Sequence, residues 1–458
     1  MFWKKINWSP LILFLSAIIL RFSTTTVAIH GDLIMQAGWG HWIYKHGWFG
    51  FYENNQWIYG WPNHPPLISL VYGLGFQLSQ WLNTFFVSIG NFIALNRLGA
   101  SKIPWFYNFV VWFQNSKYVD TPFSWGNLIS MKLIVIVADI ILAWIIYKIV
   151  KSKTSQKIAL LITAVYLFSP FTWYESAIWG QNDQLGLIFL IFSFYLLTKD
   201  KYSIFSTIAL FISIFLKPTG LIFIPLFLIF SFKDQKRFLG MIYGGLIDII
   251  LYFIFVKFTS SNNIVLFSQN LYKQMFIKGE LWTWVNTFNF WRFATPYLTD
   301  CTNKFLLLSY QVWGYLIYFA FHIYIAKKFK NKDWIDSLKA LFIISFAGWM
   351  FLVTMHERYL FTAVVIGLIL SSWIPKMFKF WLPLSLIFTI NMFNGWWTPE
   401  IPWLKNILTF GNFMDGPVPK IFAFINLFLF YKMFKLIVCD TLIPYERRHF
   451  SRRSRNQT

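Results

Sequence analysis

The sequence predicts an all-α polytopic membrane protein of about twelve transmembrane helices, within a range of roughly ten to fourteen. Three observations lead there. Apolar runs of roughly 20 residues, the length needed to cross a bilayer, recur along the chain. Of its 458 residues, 57% are hydrophobic and only 13% charged, with a mean hydropathy of +0.53; soluble domains carry about 25% charged residues. The basic residues also gather in alternate loops. Segments 1–8, 148–157, 199–201, 233–237, 327–339, 376–379 and 432–458 hold 25 of the 40 Lys and Arg but 6 of the 18 Asp and Glu. That bias is the positive-inside signature of membrane topology, and it places both termini in the cytoplasm.

The same bias disposes of a nucleic-acid reading of the net charge of +22. The charge lies in cytoplasmic loops and in a basic tail at 439–458, where membrane lipids supply the anionic partner. No stretch is polar enough for a soluble catalytic domain, so 1–458 reads as a single membrane domain. Lys4 and Lys5 precede the first apolar run, and Thr26-Val27-Ala28 is a poor cleavage site, so the run reads as an uncleaved anchor. Cys301 and Cys439 fall on opposite sides of this topology, and neither a disulfide nor a cysteine metal site follows.

The expected spans are 9–28, 128–147, 158–176, 184–198, 203–216, 218–232, 238–257, 305–326, 338–355, 359–374, 380–396 and 420–438. The pair at 203–216 and 218–232 is short and broken at Lys217-Pro218, where proline ends the hydrogen-bond ladder. Broken helices in a membrane line protein-filled or wet cavities. Two outer segments are long, 29–127 and 258–304. The first holds 67–95, apolar enough to be a span, but 103–114 is too short for a return crossing. Interfacial helices with Trp and Tyr at the headgroup layer are therefore expected there. Helical spacing from Asp32 puts Gln36 and Gly40 on one face and Met35, Trp39 and Trp42 on another. Asp32 is then expected to point inward while the aromatics rest on lipid.

Four constellations could carry chemistry, all at one membrane face. Asp32 follows the first span, beside His30 and Gly31; it reads as a general base and equally as a helix N-cap. Trp173–Asp183 contributes Glu175, Gln181, Asn182 and Asp183 as the lining of a cavity. His356-Glu357-Arg358 sets a histidine, an acid and a base at the membrane edge, where charges face the bundle interior or a wet cavity. Arginine there suits a phosphate through paired donors. Lys217 adds a second cation or snorkels to the interface. His64 lies in the Trp-rich segment that ends Pro65-Pro66-Leu67. Arg21 either joins this cavity or snorkels, and Asp139 and Asp248 each pair with polar groups on neighbouring helices. His41, His46 and His64 lack helical metal-ligand spacing. No P-loop, dinucleotide-binding glycine motif or nucleophile elbow is present.

These residues resemble the motifs of the GT-C glycosyltransferases, which take sugar from polyprenyl phosphate. The likeness is greatest to bacterial mannosyltransferases related to glycosylphosphatidylinositol mannosyltransferase II and to the glucosyltransferases that finish the N-glycan lipid precursor. An Asp after the first span followed by Pro-Pro-Leu matches Gly31-Asp32 and Pro65-Pro66-Leu67. A Met-Arg before the second span looks like Met131-Lys132. A His-Phe-Gln-Tyr-Asn loop is matched loosely by residues 179–183, with Trp179 where the family has histidine. A Lys-Gln or Lys-Pro hairpin fits Lys217-Pro218, and His-Glu-Lys fits His356-Glu357-Arg358. The similarity runs in order from residue 1 to about 375; segment 380–438 carries no matching motif.

The resemblance implies a GT-C fold and an inverting transfer of a hexose, mannose before glucose, from polyprenyl phosphate to an acceptor hydroxyl on the extracytoplasmic side. Asp32 would be the base. His356 and Arg358, with Lys217 as a lesser member, would hold the lipid phosphate, and Glu357 would orient His356. Gln36, Glu175, Gln181, Asn182, Asp183, Glu357 and His64 would line the cavity. No cofactor is implied; the likeness points to metal independence and leaves a divalent cation open. The acceptor is a glycan, a lipid or a protein. Two other classes fit the bundle: a transporter or flippase of lipid-linked or anionic sugars, and an O-antigen-type polymerase or ligase. The long outer segment after the first span and the absence of inverted repeats favour transfer over transport.

Overall fold

The computed structural model describes residues 10–54, 57, 60–95, 104–117, 121–277, 281–329, 333–410 and 415–439. The expected cytoplasmic segment 1–8, Arg97, Lys102 and the tail beyond Cys439 lie outside the described residues. The fold is almost entirely helical, as the hydropathy pattern requires: with no water in a bilayer, backbone groups must bond within their own segment.

Helix α1 (Pro10–Thr24) leads to α2 (Gly31–His46), then α3 (Pro66–Leu95) and α4 (Pro104–Asn115). The most hydrophobic of the long helices is α5 (Trp125–Lys151), opened by a capping box of Ser124 and Asn127, which satisfies orphan amides at its N-terminus. Next come α6 (Gln156–Phe168) and the single turn α7 (Pro170–Trp173), which runs into a π-helical turn at Tyr174–Trp179. Helices α8 (Asp183–Leu197) and α9 (Ser203–Leu216) pack as a pair. The expected break at Lys217-Pro218 is present: a 3-10 segment, Pro218–Phe223, intervenes before α10 (Ile224–Ser231).

Helix α11 (Gln235–Thr259) is followed by α12 (Ile264–Tyr272) and the short α13 (Phe290–Ala294) within segment 258–304. Strands β1 (Lys304–Phe305) and β2 (Leu308–Ser309) pair antiparallel, so the helix expected from 305 begins later, as α14 (Tyr310–Lys328). Then follow α15 (Trp334–Phe351), α16 (Phe361–Ser371), α17 (Pro375–Trp396), α18 (Pro402–Leu408) and α19 (Pro417–Cys439).

Among the described residues four helices, α5, α11, α15 and α19, are long and apolar enough to cross a membrane; α6 with its bent continuation makes a fifth. Helices α1, α8, α9 and the Pro218–Ser231 unit are apolar but shorter. Helix α3 runs 30 residues unbroken, about 45 Å at 1.5 Å per residue, and packs on α2, α4 and α5.

Burial divides the molecule into two main clusters. The larger centres on α15 and α16, which are buried nearly all round, and gathers α5, α6, α8, α17 and α19. The second joins α2, α3 and the Trp-rich segment to parts of α9, α11 and α12. Ala28 belongs to the first cluster and Ile29 to the second. The chain therefore crosses the seam between them immediately before Asp32.

Trp39 is buried, not laid against lipid as its helical position suggested. Its indole donates to the Gly60 carbonyl at 3.0 Å, because the segment after α2 folds back over that face. Gly40 allows the approach of α3: a Cβ there would meet the Tyr72 carbonyl oxygen at 2.5 Å.

Arg21 neither snorkels nor reaches the Asp32 site. Its Nε meets Asp139 Oδ2 at 2.7 Å with both side chains fully buried, and Nη1 reaches the Leu167 carbonyl at 3.1 Å. Asp139 also accepts from Tyr166 at 2.5 Å and Ser176 at 2.8 Å. Asp139 thus has the polar partners expected of it. Asp248 does not: its Oδ1 is buried without a hydrogen bond among the described residues.

Candidate functional site

The site begins with α2. Residue 30, not 32, is the N-cap: His30 Nδ1 accepts from the Asp32 backbone N–H at 2.9 Å. Asp32 therefore sits in the first turn, where the helix dipole favours a negative side chain, and its carboxylate is left for other partners. Gln36, one turn on, is buried on the same helix.

The second element is the π turn. It ends at Gly180 in a left-handed conformation, φ 83°, which glycine adopts without strain. The amides of Gly180 and Gln181 both return to the Glu175 carbonyl. This reversal carries Gln181 to Asp32, where its Nε2 donates to Oδ2 at 2.5 Å. Single-turn π distortions recur at functional positions.

Lys132 ties these two elements together. Its buried Nζ donates to the Thr25, Ala28 and Ile178 carbonyls at 2.7–2.8 Å. The residue that matched a Met-Arg motif thus fastens the approach to Asp32 to the approach to Gln181. It was not among the expected site residues; an ammonium has three donors, and only the fold shows that three carbonyls converge on them.

Lys217 lies on the other side of Gln181. Its Nζ contacts Asp183 Oδ2 at 2.7 Å, Asn182 Oδ1 at 3.0 Å and Gln181 Oε1 at 3.3 Å. With two hydrogen bonds and one ion pair inside the protein, Lys217 organises the 181–183 turn. Asp183 begins α8 but does not cap it. Glu175 is fully buried with neither oxygen hydrogen-bonded among the described residues; it faces Asp183 and Lys217. Asn182 Nδ2 donates to the Tyr72 hydroxyl at 3.1 Å.

The third element is the 352–358 connection. It is held by the backbone of segment 258–304, with Thr354 N–H on the Trp282 carbonyl and Val285 N–H on that of Met355. The Trp349 indole donates to the His356 carbonyl at 3.0 Å. Arg358 emerges between two acids. Its Nη1 contacts Glu357 Oε1 at 3.1 Å, and Nη2 stands 4.0 Å from Asp32 Oδ2. The guanidinium also lies over the Trp179 and Tyr359 rings, at 5.6 and 5.4 Å. Glu357 pairs with Arg358 and does not orient His356; the His356 Nδ1 to Glu357 Oε2 distance is 4.0 Å, too long for a hydrogen bond.

His30 and Trp179 add an aromatic wall with Trp396, at ring separations of 4.2–5.7 Å. Trp396 comes from a region with no recognised motif. The Asn394-Gly395-Trp396-Trp397 run at a helix end was the available signal. Gly395 is needed there, because a Cβ would lie 2.9 Å from Glu357 Cγ. His64 reaches the edge of the site, its ring 6.3 Å from that of Tyr72 and its buried Nδ1 without a hydrogen bond.

Burial would raise the Asp32 carboxyl, but Arg358 first, then His30, Lys217 and His356, hold it below its ordinary value. Burial and Arg358 push His356 from 6.5 down to about 3. Burial pushes His30 down to about 4 and His64 to about 3. The three imidazoles are thus neutral at pH 7, so His356 offers one ring N–H and no charge. Burial raises Glu357 despite its arginine, whereas Arg358 is held protonated by Tyr359, Asp32 and Glu357 in spite of its own burial.

The structure therefore brings Asp32, Gln181, Arg358 and Glu357 together directly, with Lys217, Asn182, Asp183 and Glu175 behind Gln181. Gln36 and His64 are placed at the margins without hydrogen bonds to the carboxylate. Among the described residues no three His, Cys, Asp or Glu side chains converge as a metal site. No protein-family model matches the chain, and no curated protein matches it.

Proposed function

We propose that this chain is a multi-pass membrane glycosyltransferase of the GT-C type. It transfers a hexose, mannose before glucose, from a polyprenyl-phosphate donor to an acceptor hydroxyl on the extracytoplasmic side. The observation that carries the reading is Asp32. It is an ionised carboxylate, 27% exposed, aimed by Gln181 and paired only loosely with an arginine.

In the proposed reaction the acceptor hydroxyl loses its proton to Asp32 as its oxygen bonds to the anomeric carbon. The bond from that carbon to the phosphate oxygen breaks on the opposite face, and the polyprenyl phosphate departs with the electron pair. One displacement inverts the configuration. Arg358 is the cation for the phosphate, through paired donors, and the neutral His356 adds one hydrogen bond. A phosphate at Arg358 would draw the guanidinium from Asp32. The carboxylate would then lose its depressing charge and become a stronger base when the donor is bound. Lys217 is a positioning residue in this scheme, acting through Gln181.

The test is a donor screen in detergent: mannosyl, glucosyl and arabinosyl polyprenyl phosphates with wild type and Asp32→Asn. Transfer from one of them by the wild type alone is expected. Detergent removes compartments, so a transporter or flippase would give no product. A polymerase or ligase would ignore lipid-monophosphate sugars and require a lipid-diphosphate oligosaccharide.

A further inference from the structure

A concavity lies where the segment after α2 meets α12 and its flanks. It has a volume of about 460 Å³ and is lined by Tyr52, Glu53, Trp61, Asn262, Asn270 and Gln274, within the ~300–1,000 Å³ range of small-ligand clefts. Its chemistry is distinctive. Tyr52 and Trp61 form an aromatic pair, ring centroids 5.4 Å apart, and the Trp61 indole is fixed on the Tyr52 carbonyl at 3.2 Å. With them stand a carboxylate and three carboxamides, and among the described lining residues there is no lysine or arginine.

Glu53 is half satisfied. Its Oε1 accepts from the Ser260 hydroxyl and from the Asn262 side-chain amide at 2.8 Å. Its Oε2 is buried with no hydrogen bond among the described residues. Asn270 and Gln274 are four residues apart and both line the cleft, and among the described residues neither side chain makes a hydrogen bond. Carboxamides offer both donors and acceptors. An aromatic face beside amides and one carboxylate complements a ligand with C–H patches and many neutral hydroxyls. An anion would meet Glu53, and a lipid tail would strand the amides unpaired.

The cleft is joined to the candidate site. The Tyr52 hydroxyl donates to the His64 carbonyl at 2.7 Å. His64 neighbours Tyr72, and Tyr72 accepts from Asn182, beside Gln181. We infer that this cleft binds a carbohydrate chain, and that the acceptor is a glycan lying across Trp61 with its reacting end toward Asp32. The acceptor assignment rests on the transferase reading; the binding itself does not.

The test uses the full-length chain in lipid nanodiscs, without donor. Saturation-transfer NMR is recorded with free mannotetraose, maltotetraose, galactotetraose and chitotetraose, and then with Trp61→Ala, Asn270→Ala, Gln274→Ala and Asp32→Asn. Saturation of at least one tetrasaccharide is expected, lost by at least tenfold with Trp61→Ala and clearly reduced by either amide variant. Asp32→Asn should keep it. The Asn270 and Gln274 side chains hold no hydrogen bond among the described residues, so those variants test the cleft even if Trp61→Ala fails to fold. Silence with all four sugars, or binding that survives both amide variants, overturns the inference. Because no turnover is measured, glycan binding without transfer would fault the transferase reading alone.

Discussion

Two acid–arginine pairs in this molecule look alike in sequence and behave as opposites in the fold. Arg21 and Asp139 meet at 2.7 Å, fully buried, and Asp139 is further supplied by Tyr166 and Ser176. Arg358 and Asp32 stand 4.0 Å apart with 16% and 27% of their side chains exposed. The first is a closed account of charges, with nothing left to offer a ligand. The second is incomplete: a carboxylate with one short hydrogen bond, and an arginine divided between two acids and two rings. Saturated charge clusters hold helices together, whereas unsaturated ones beside a seam are where a substrate can be the missing partner.

Breaking each pair separates these roles. Arg21→Ala leaves Asp139 buried without its cation, a loss of about 3–5 kcal/mol. The expectation is a large fall in thermal stability in detergent, with the turnover of the remaining folded protein unchanged. A stable variant with lost turnover would move Arg21 into the site. Arg358→Ala should lower kcat/KM for the lipid-phosphate donor by roughly 10²-fold while the acceptor KM stays near its wild-type value. Equal damage to both substrates would place the phosphate site elsewhere.

The pH dependence sharpens the same contrast. Asp32 is depressed by Arg358 in the free protein, and its ionised form is the base in the proposed reaction. Activity through kcat/KM should therefore persist as pH falls, declining only below the ordinary carboxylate range near ~4. With donor bound, Arg358 is engaged and the depression is relieved, so the acid limb of kcat should lie at higher pH. Coincident limbs would show that Arg358 does not change partners. No limb is expected near 6.5, because His356 is neutral down to about 3. The smallest effect is expected from Gly395→Ala. Its Cβ would press on Glu357 and shift Arg358 by tenths of an ångström, giving a few-fold rise in donor KM with little change in stability.

Much of the helical layout was legible because each run carries its own pattern. The break at Lys217-Pro218 followed from proline chemistry, and the apolar runs at 128–147, 238–257 and 420–438 appear within α5, α11 and α19. Short-range reasoning failed where tertiary contacts decide. Trp39 has the helical position of a lipid-facing residue, yet the returning segment covers it. Asp32 has the composition of an N-cap, yet His30, two residues earlier, takes that place. Lys132, Trp179 and Trp396 joined the site only once the turns at 25–28, 174–180 and 394–397 were brought to one seam. Lys217 was legible as a costly buried cation; that Asp183, Asn182 and Gln181 gather around it was not, since it depends on the shape of a π turn.

The most direct measurement is the rate at which labelled hexose leaves polyprenyl phosphate for acceptor with wild type and Asp32→Asn, at matched folded protein. The substitution keeps the Gln181 contact possible and removes the base, so a loss of about 10²–10⁴-fold is expected with membrane insertion and melting temperature unchanged. Wild-type rates from Asp32→Asn would contradict the account at its centre.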